Sequence, residues 1–413
     1  PKPQTPNPKP LFESEISTAH LHSSKPNLII MTSFPSLQRG RVSAFAISSG
    51  GSENSKPKPN QDVFLASVIE TSGVFAVFDG HGPQGAEIAK ISRRHLLKIL
   101  KLILPSMAGT EALRRAFGET ETEVLESGIG RLSGSTCSLV LISPGQIVVA
   151  NLGDSRVVLA SKIGNDLFAT PLTVDHKPVL PIEQARLRAK GAIVEPSHVN
   201  GRFAGPTRIW APPQVSIFQS QVQTPLNFSP SPSLSSSLND KLSSSSESHS
   251  LNSPAHQPLN PSAFHPVSPS THQALNLSTP QPLTPSKFQP RGPGLTMSRS
   301  FGDSMGKEIG VSSEPDIYSL PLTQEAAFLI LATDGVWDML SNEEAVEIVA
   351  KVISEGGPKE AAKALVKEAV ERWKEVDLTE CIELCRRCDC NRRFAIVIVA
   401  EKVFIKKLIW GLG

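Results

Sequence analysis

The chain has 413 residues, 39% of them hydrophobic, which suits one large domain or two ordinary ones with a sizeable core. Its 35 prolines are too many for a compact domain, so some segments are expected to stay unfolded. The net charge of +2 gives no nucleic-acid or membrane signal, and no apolar run approaches the ~20 residues of a membrane helix.

Residues 1–55 are rich in Pro and Ser and read as a disordered or targeting segment. Between residues 16 and 51 there is no acidic residue, a composition compatible with an organelle transit peptide; a disordered tail is the alternative. The folded region is expected to begin near Pro59. Val74–Phe78 is all apolar and predicts a buried strand. The stretch "GAEIAKISRRHLLKILKLIL" spaces Ile88, Ile91, Leu96 and Ile99 as a helix ending before Pro105. A second helix follows, with Thr110 as its N-cap. The period then shortens: "STCSLVLIS", "QIVVANLG", "DSRVVLAS" and "LFATPLTVD" predict an antiparallel meander.

"PIEQARLRAKGAIV" predicts a helix between Pro181 and Gly191. Residues 212–290 are dominated by Ser, Pro, Gln, Asn and Leu and cannot bury enough apolar surface to offset ordering, which predicts a disordered insertion. Seven Ser-Pro or Thr-Pro pairs within it suit proline-directed kinases, or arise by chance in such a composition. "EAAFLILATD" is another apolar strand, ending on Asp334. Two amphipathic helices follow, the first capped by Ser341 with Glu344 three residues on. "FAIVIVAEKVF" predicts a last strand, and 403–413 a tail. Of five cysteines, four cluster late, at Cys381, Cys385, Cys388 and Cys390. This does not resemble a secreted disulfide framework and favours a reducing compartment.

Asp79 and Asp334 each end an apolar strand and precede a glycine, in "FAVFDGHG" and "LILATDGVWD". Any single Asp-Gly pair is ordinarily a turn. Two such junctions, with "GDSR" and "NQD" in the same chain, suggest more. Carboxylates at adjacent strand ends repel when buried, and a hard divalent cation relieves the repulsion. Oxygen ligands suit Mg²⁺ or Mn²⁺ rather than zinc. His81 is not assigned by spacing alone; a loop histidine is ordinarily solvent-facing, but beside Asp79 it could protonate a leaving oxygen.

The ordered series "NQD", "VFDGHG", "SGSTC", "ANLGDSRVVLA", "LTVDHKP", "RIWAP", "PGLTMSRSFGD", "SSEPDI" and "ILATDGVWDMLSNEEAVEIV" resembles the plant-like metal-dependent protein serine/threonine phosphatases of the protein phosphatase 2C family. The resemblance implies an α+β fold, a four-layer α/β/β/α sandwich with two central antiparallel sheets. The catalytic domain would comprise residues 56–211 and 291–402. The resemblance also implies two Mg²⁺ or Mn²⁺ ions and a weaker third. Asp79 would bridge the two ions, the Gly80 carbonyl would bind one and Asp334 the other. Gln61 and Asp62 would act through water, Asp154 and Asp338 would hold the third ion, and His81 would be the general acid. A water bridging the two ions would attack phosphoserine or phosphothreonine directly. Lys56 or Lys58 would hold the phosphate, or else belong to a solvated linker.

The implied partners are phosphorylated proteins, with no nucleic acid or membrane, and the chain would be a monomer. It would lie in the cytoplasm or nucleus, or in an organelle if the N-terminal segment targets it. The insertion falls in the region that forms a flap in this family, where it would influence substrate access. One departure stands out. In "CRRCDCNRRFAIVIVA", Arg392 occupies the place of a final metal-binding Asp, and Asp389 fills it only after a shift of three residues. The alternative function is therefore a pseudophosphatase acting as a binding module. The late cysteines as a zinc knuckle, or the segment as a local divergence, are two readings of the same stretch.

Overall fold

The structure is a computed structural model and describes residues 27–30, 34–37, 40–49, 52–53, 56–57, 59–199, 202–212, 291–379 and 394–401. Lys58, nearly all of the Ser/Pro insertion, Asp389, Arg392 and the four late cysteines lie outside these residues, as does the side chain of Lys56.

In chain order, the first strands are β1 (Asn27–Ile30), β2 (Phe34–Leu37), β3 (Gly40–Ser49) and the short pair β4 (Ser52–Glu53) and β5 (Lys56–Pro57). Then come β6 (Val63–Ile69), β7 (Ser72–Phe78), β8 (Gly80–His81) and the helices α1 (Gly85–Ile103) and α2 (Gly109–Glu126). Next are β9 (Gly134–Ser135), β10 (Cys137–Ser143), β11 (Gln146–Leu152), β12 (Arg156–Ile163), β13 (Asp166–Pro171) and α3 (Pro181–Ala189). A small hairpin, β14 (Ile193–Val199) with β15 (Arg202–Ala211), is joined by β16 (Arg291–Leu295). The chain continues through β17 (Phe301–Gly302), α4 (Ser304–Glu308), β18 (Asp316–Pro321), β19 (Ala326–Ala332), α5 (Asp334–Trp337), α6 (Asn342–Thr379), which is two helices broken at Gly357 (φ +67°) before Pro358 as the sequence predicts, and β20 (Phe394–Glu401).

Two antiparallel sheets form the centre. One runs β1-β3-β20-β19-β12-β13, with β2 added beside β3; the other runs β18-β11-β10-β7-β6. Strand alternation sends successive side chains to opposite faces, and here it builds three apolar layers. Leu329, Leu331, Val397 and Val399 face inward against Phe75, Val77, Val140 and Val149 of the other sheet. Phe328, Ile330, Ile396 and Ile398 face outward under Val349, Ile353 and Leu365 of α6. On the opposite outer face, Ala76, Phe78, Leu139 and Leu141 pack against Ile88, Leu96, Leu113 and Phe117 of α1 and α2. This is the expected α+β sandwich. Among the described residues, no helix is long and apolar enough to cross a membrane.

Three expectations need correction. The fold begins earlier than residue 56: β3 lies between β1 and β20, and Ala44, Phe45, Ala46 and Ile47 are buried. Its small residues and flanking serines hid the strand pattern. The meander breaks at Gly153. β11 pairs with β10 and β18, whereas β12 pairs with β13 and β19, so the chain changes sheets across "GDS". Gly153 makes the turn at φ +105°, and a Cβ there would lie 2.6 Å from Thr136. Finally, Ala108 rather than Thr110 sits at the N-cap of α2, without a side-chain cap bond. The Ser341–Glu344 capping box is present, each backbone N–H bonded to the other's side chain.

Candidate active site

The aspartates converge because strand ends converge. Asp79 follows β7 of the five-stranded sheet, and Asp334 follows β19 of the seven-stranded one. Their carboxyl groups meet in a side-chain hydrogen bond. Burial, then the charges of Asp154 and Asp338, push the Asp334 carboxyl up to about 7, against the pull of Lys177 and that bond. Asp338 lies one turn on and is also shifted upward, first by desolvation. Backbone bonds fix the Asp79 end: its N–H donates to Thr136 Oγ1 at 3.0 Å, and its carbonyl accepts from Thr136 N–H at 2.9 Å. Thr136 Oγ1 in turn meets Ser155 Oγ at 2.8 Å, beside Asp154.

Asp154 is fully buried at the crossing between sheets. Its Oδ2 accepts from Lys177 Nζ at 2.5 Å, and its Oδ1 has no hydrogen-bond partner. Burial alone would favour a neutral Lys177, but Asp154, Asp334 and Asp338 reverse this and raise its pKa. Asp62 is buried on the other side. Thr333 Oγ1 donates to its Oδ2 at 2.9 Å while accepting from Ala395 N–H, so Thr333 ties β20 to Asp62. The Gln61 amide donates to the Gly82 carbonyl at 3.0 Å, and its Oε1 is buried without a hydrogen-bond partner. Gly80 is enclosed by backbone: a Cβ would fall 2.3 Å from the Gly85 carbonyl oxygen and 2.7 Å from that of Gln61. Only glycine fits there.

His81 stands on β8, next to Gly80, with its Nε2 2.6 Å from Asp303 Oδ2. The structure thus brings Asp79, Gly80, His81, Asp334, Asp154 and Asp338 to one end of the sandwich, with Gln61 and Asp62 beside them. The side chain of Lys56, and Lys58 and Asp389, lie outside the described residues. Sequence reading missed the partners that hold these residues: Thr136, Ser155, Lys177, Asp303 and Thr333. Lys177 and Asp303 lie inside "LTVDHKP" and "SRSFGD", so the motifs marked their places but not their contacts.

Among the described residues, no three His, Cys, Asp or Glu side chains close into a ready-made metal ligand set. The donors nevertheless suit a hard cation. They are all oxygens, Asp154 Oδ1 and Gln61 Oε1 are buried without partners, and Asp334 is pushed toward neutrality by burial and then by adjacent carboxylates. A divalent cation would relieve that repulsion directly.

Comparison with known proteins gives the family. A family profile, protein phosphatase 2C, matches residues 37–208 and 286–376. The chain is 30% identical over 329 residues to "Probable protein phosphatase 2C 64" of Oryza sativa subsp. japonica, covering 76% of this chain and 58% of that protein, so it spans little more than half the relative's length. It is 26% identical to "Probable protein phosphatase 2C 8" of Arabidopsis thaliana over 80% of this chain and 69% of that one. The fold matches a serine-threonine phosphatase 2C from Toxoplasma gondii, with a TM-score of 0.59 at 19% identity, covering 92% of this chain and 100% of that one. A C. elegans sex determining protein follows at 0.53 and 17% identity, over 91% of this chain and 68% of that one. The chain belongs to the protein phosphatase 2C family of metal-dependent protein phosphatases and is plant-like within it.

Proposed function

We propose that this chain is an active protein serine/threonine phosphatase that hydrolyses phosphoserine and phosphothreonine monoesters. The observation that carries the reading is the meeting of Asp79 and Asp334 from two different sheets, with Asp154 and Asp338 within their electrostatic reach. Asp79, the Gly80 carbonyl and Asp334 would hold two Mg²⁺ or Mn²⁺ ions, and Asp154 with Asp338 a weaker third. Bound there, the cations would neutralise phosphoryl oxygens and acidify water near neutral pH.

The chain's own residues supply the rest. Gln61 and Asp62 would orient water beside Asp79. A water oxygen bonds to phosphorus, and the phosphorus–oxygen bond to the serine or threonine breaks. The departing oxygen keeps the bonding pair and takes a proton from His81. The proton that water gives up restores the imidazole, and inorganic phosphate leaves. Cys137, the one cysteine among the described residues, takes no part: it is buried, and burial raises its thiol well above the usual range.

A second reading, an impaired phosphatase acting as a binding module, is favoured by Arg392 in the place of a metal-binding Asp. The two readings separate on Mn²⁺-dependent turnover of a phosphothreonine peptide. Turnover abolished by Asp79→Asn supports the enzyme; a folded chain with no metal-dependent turnover supports the module. The Ser/Pro insertion is proposed to modulate substrate access, and deletion of residues 213–289 should change phosphopeptide kinetics; unchanged kinetics would reject that role.

A further inference from the structure

His81 sits on a two-residue strand flanked by Gly80 and Gly82. The glycine neighbours bring no side chain against the ring, so groups on other strands contribute to its orientation. The three-stranded sheet β8-β9-β17 supplies them, by joining "GHG", "SGS" and "SFGD". His81 pairs with Gly134, and Gly134 pairs with Gly302. Asp303 follows directly, and its Oδ2 reaches His81 Nε2 at 2.6 Å.

Three features set this contact apart from a chance surface pair. Asp303 is 1% exposed, and its Oδ2 is held by His81 and Ser300 rather than by solvent. It is one of two non-glycine residues with positive φ among the described residues, at +49°, and Glu70, the other, lies in the β6–β7 turn. Strain of that kind persists where surrounding bonds impose it. Here Ser300 Oγ donates to Asp303 Oδ2 at 2.6 Å, and the Asp303 N–H donates to the Ser133 carbonyl at 2.9 Å. Lastly, the space is reserved: a Cβ on Gly134 would fall 2.2 Å from Asp303 Oδ2 and 2.7 Å from His81 Nε2.

A partly buried ion pair backs the same loop. Glu121 of α2 accepts from Gly302 N–H at 2.9 Å, and Lys307 lies 3.3 Å from Glu121 while donating to the Ser300 carbonyl. We propose that Asp303 is a positioning residue for His81, fixing the imidazole through Nε2 so that the ring is held ready to protonate the leaving oxygen. This rests on the phosphatase reading and on His81 as its proton donor.

The test compares substrates that differ in their need for a proton. A phosphothreonine peptide expels a basic alkoxide, whereas p-nitrophenyl phosphate expels a weakly basic phenolate. Asp303→Asn should lower kcat on the peptide by about 10²-fold, the usual scale of general-acid catalysis, with KM little changed and a far smaller loss on p-nitrophenyl phosphate. In a His81→Ala background, Asp303→Asn should cost nothing more. Equal losses on both substrates, or additive losses in the double variant, would overturn the proposal. If Asp303→Asn does not fold, Ser300→Ala should give a weaker version of the same substrate pattern, and a loss shared equally by both substrates would count against it. Absence of turnover in the wild-type chain would count against the phosphatase reading alone. The ¹⁵N-imidazole spectrum then decides on Asp303. A protected, downfield Nε2 proton of His81 that vanishes in Asp303→Asn supports the pairing; a freely exchanging ring in the wild-type chain refutes it.

Discussion

At Asp334, folding buries a carboxyl beside Asp79, Asp154 and Asp338, and its affinity for a proton rises accordingly. Replacing it by Asn removes the charge that a divalent cation would meet. Asp334→Asn and Asp79→Asn are each expected to lower kcat/KM on a phosphothreonine peptide by about 10³-fold or more, since cation stabilisation of phosphoryl transfer amounts to several kcal/mol. Steady-state kinetics at saturating Mn²⁺ checks this. Gly80→Ala should fail differently. Its Cβ would meet the Gly85 and Gln61 backbones, so thermal stability and activity should fall together. Asp79 and Asp334 were legible in the sequence because each stands alone after an apolar strand and before glycine. Asp303 was not, because its contact with His81 spans 222 positions and depends on three strands meeting. Lys177 was equally hidden, since its partner Asp154 lies on the far side of a strand pair and a turn.

Among the elements, α3 shows how a short helix can fasten a loop. Its Glu183 is fully buried and receives hydrogen bonds from Arg186, Arg299 and Ser298. Burial opposes its ionisation, but these bonds prevail and bring its pKa from 4.5 to about 2. Asp316 behaves alike: the hydrogen bond with His176 leads, burial opposes, Arg299 assists, and the pKa falls from 3.8 to about 2. In both cases the unfolded chain binds protons more readily than the folded one. The resulting stability is present above about pH 4.5 and is lost as pH falls toward 2. Denaturant melts at pH 5 and pH 3 should show it, and the drop should shrink in Glu183→Gln. Breaking this buried cluster by Glu183→Ala should cost about 3 kcal/mol at pH 7, because Arg186 and Arg299 lose their shared carboxylate. Helix periods and the Ser341–Glu344 capping box were readable from the chain. The place of β3, and the passage of β12 into the other sheet, were not. Strand pairing is non-local, and an alternating run of small residues carries little signal of which neighbour it will meet.

At the scale of the whole molecule, the site joins the two sheets. Asp79 ends a strand of one and Asp334 a strand of the other, while Thr333 bonds Asp62 to β20. Cations bound between them would link the sheets in the folded state and have no such site in the unfolded chain. Mg²⁺ or Mn²⁺ at a hundred times its dissociation constant should therefore stabilise the fold by about 2.7 kcal/mol, seen as a rise in Tm of several degrees. Asp79→Asn should lose that rise. The measurement that bears most directly on the central claim is hydrolysis of a phosphothreonine peptide by the purified chain, with and without Mn²⁺, beside Asp79→Asn. The expected result is phosphate release that requires Mn²⁺ and is abolished in the variant. A folded wild-type chain that releases no phosphate at any Mn²⁺ or Mg²⁺ concentration would contradict it.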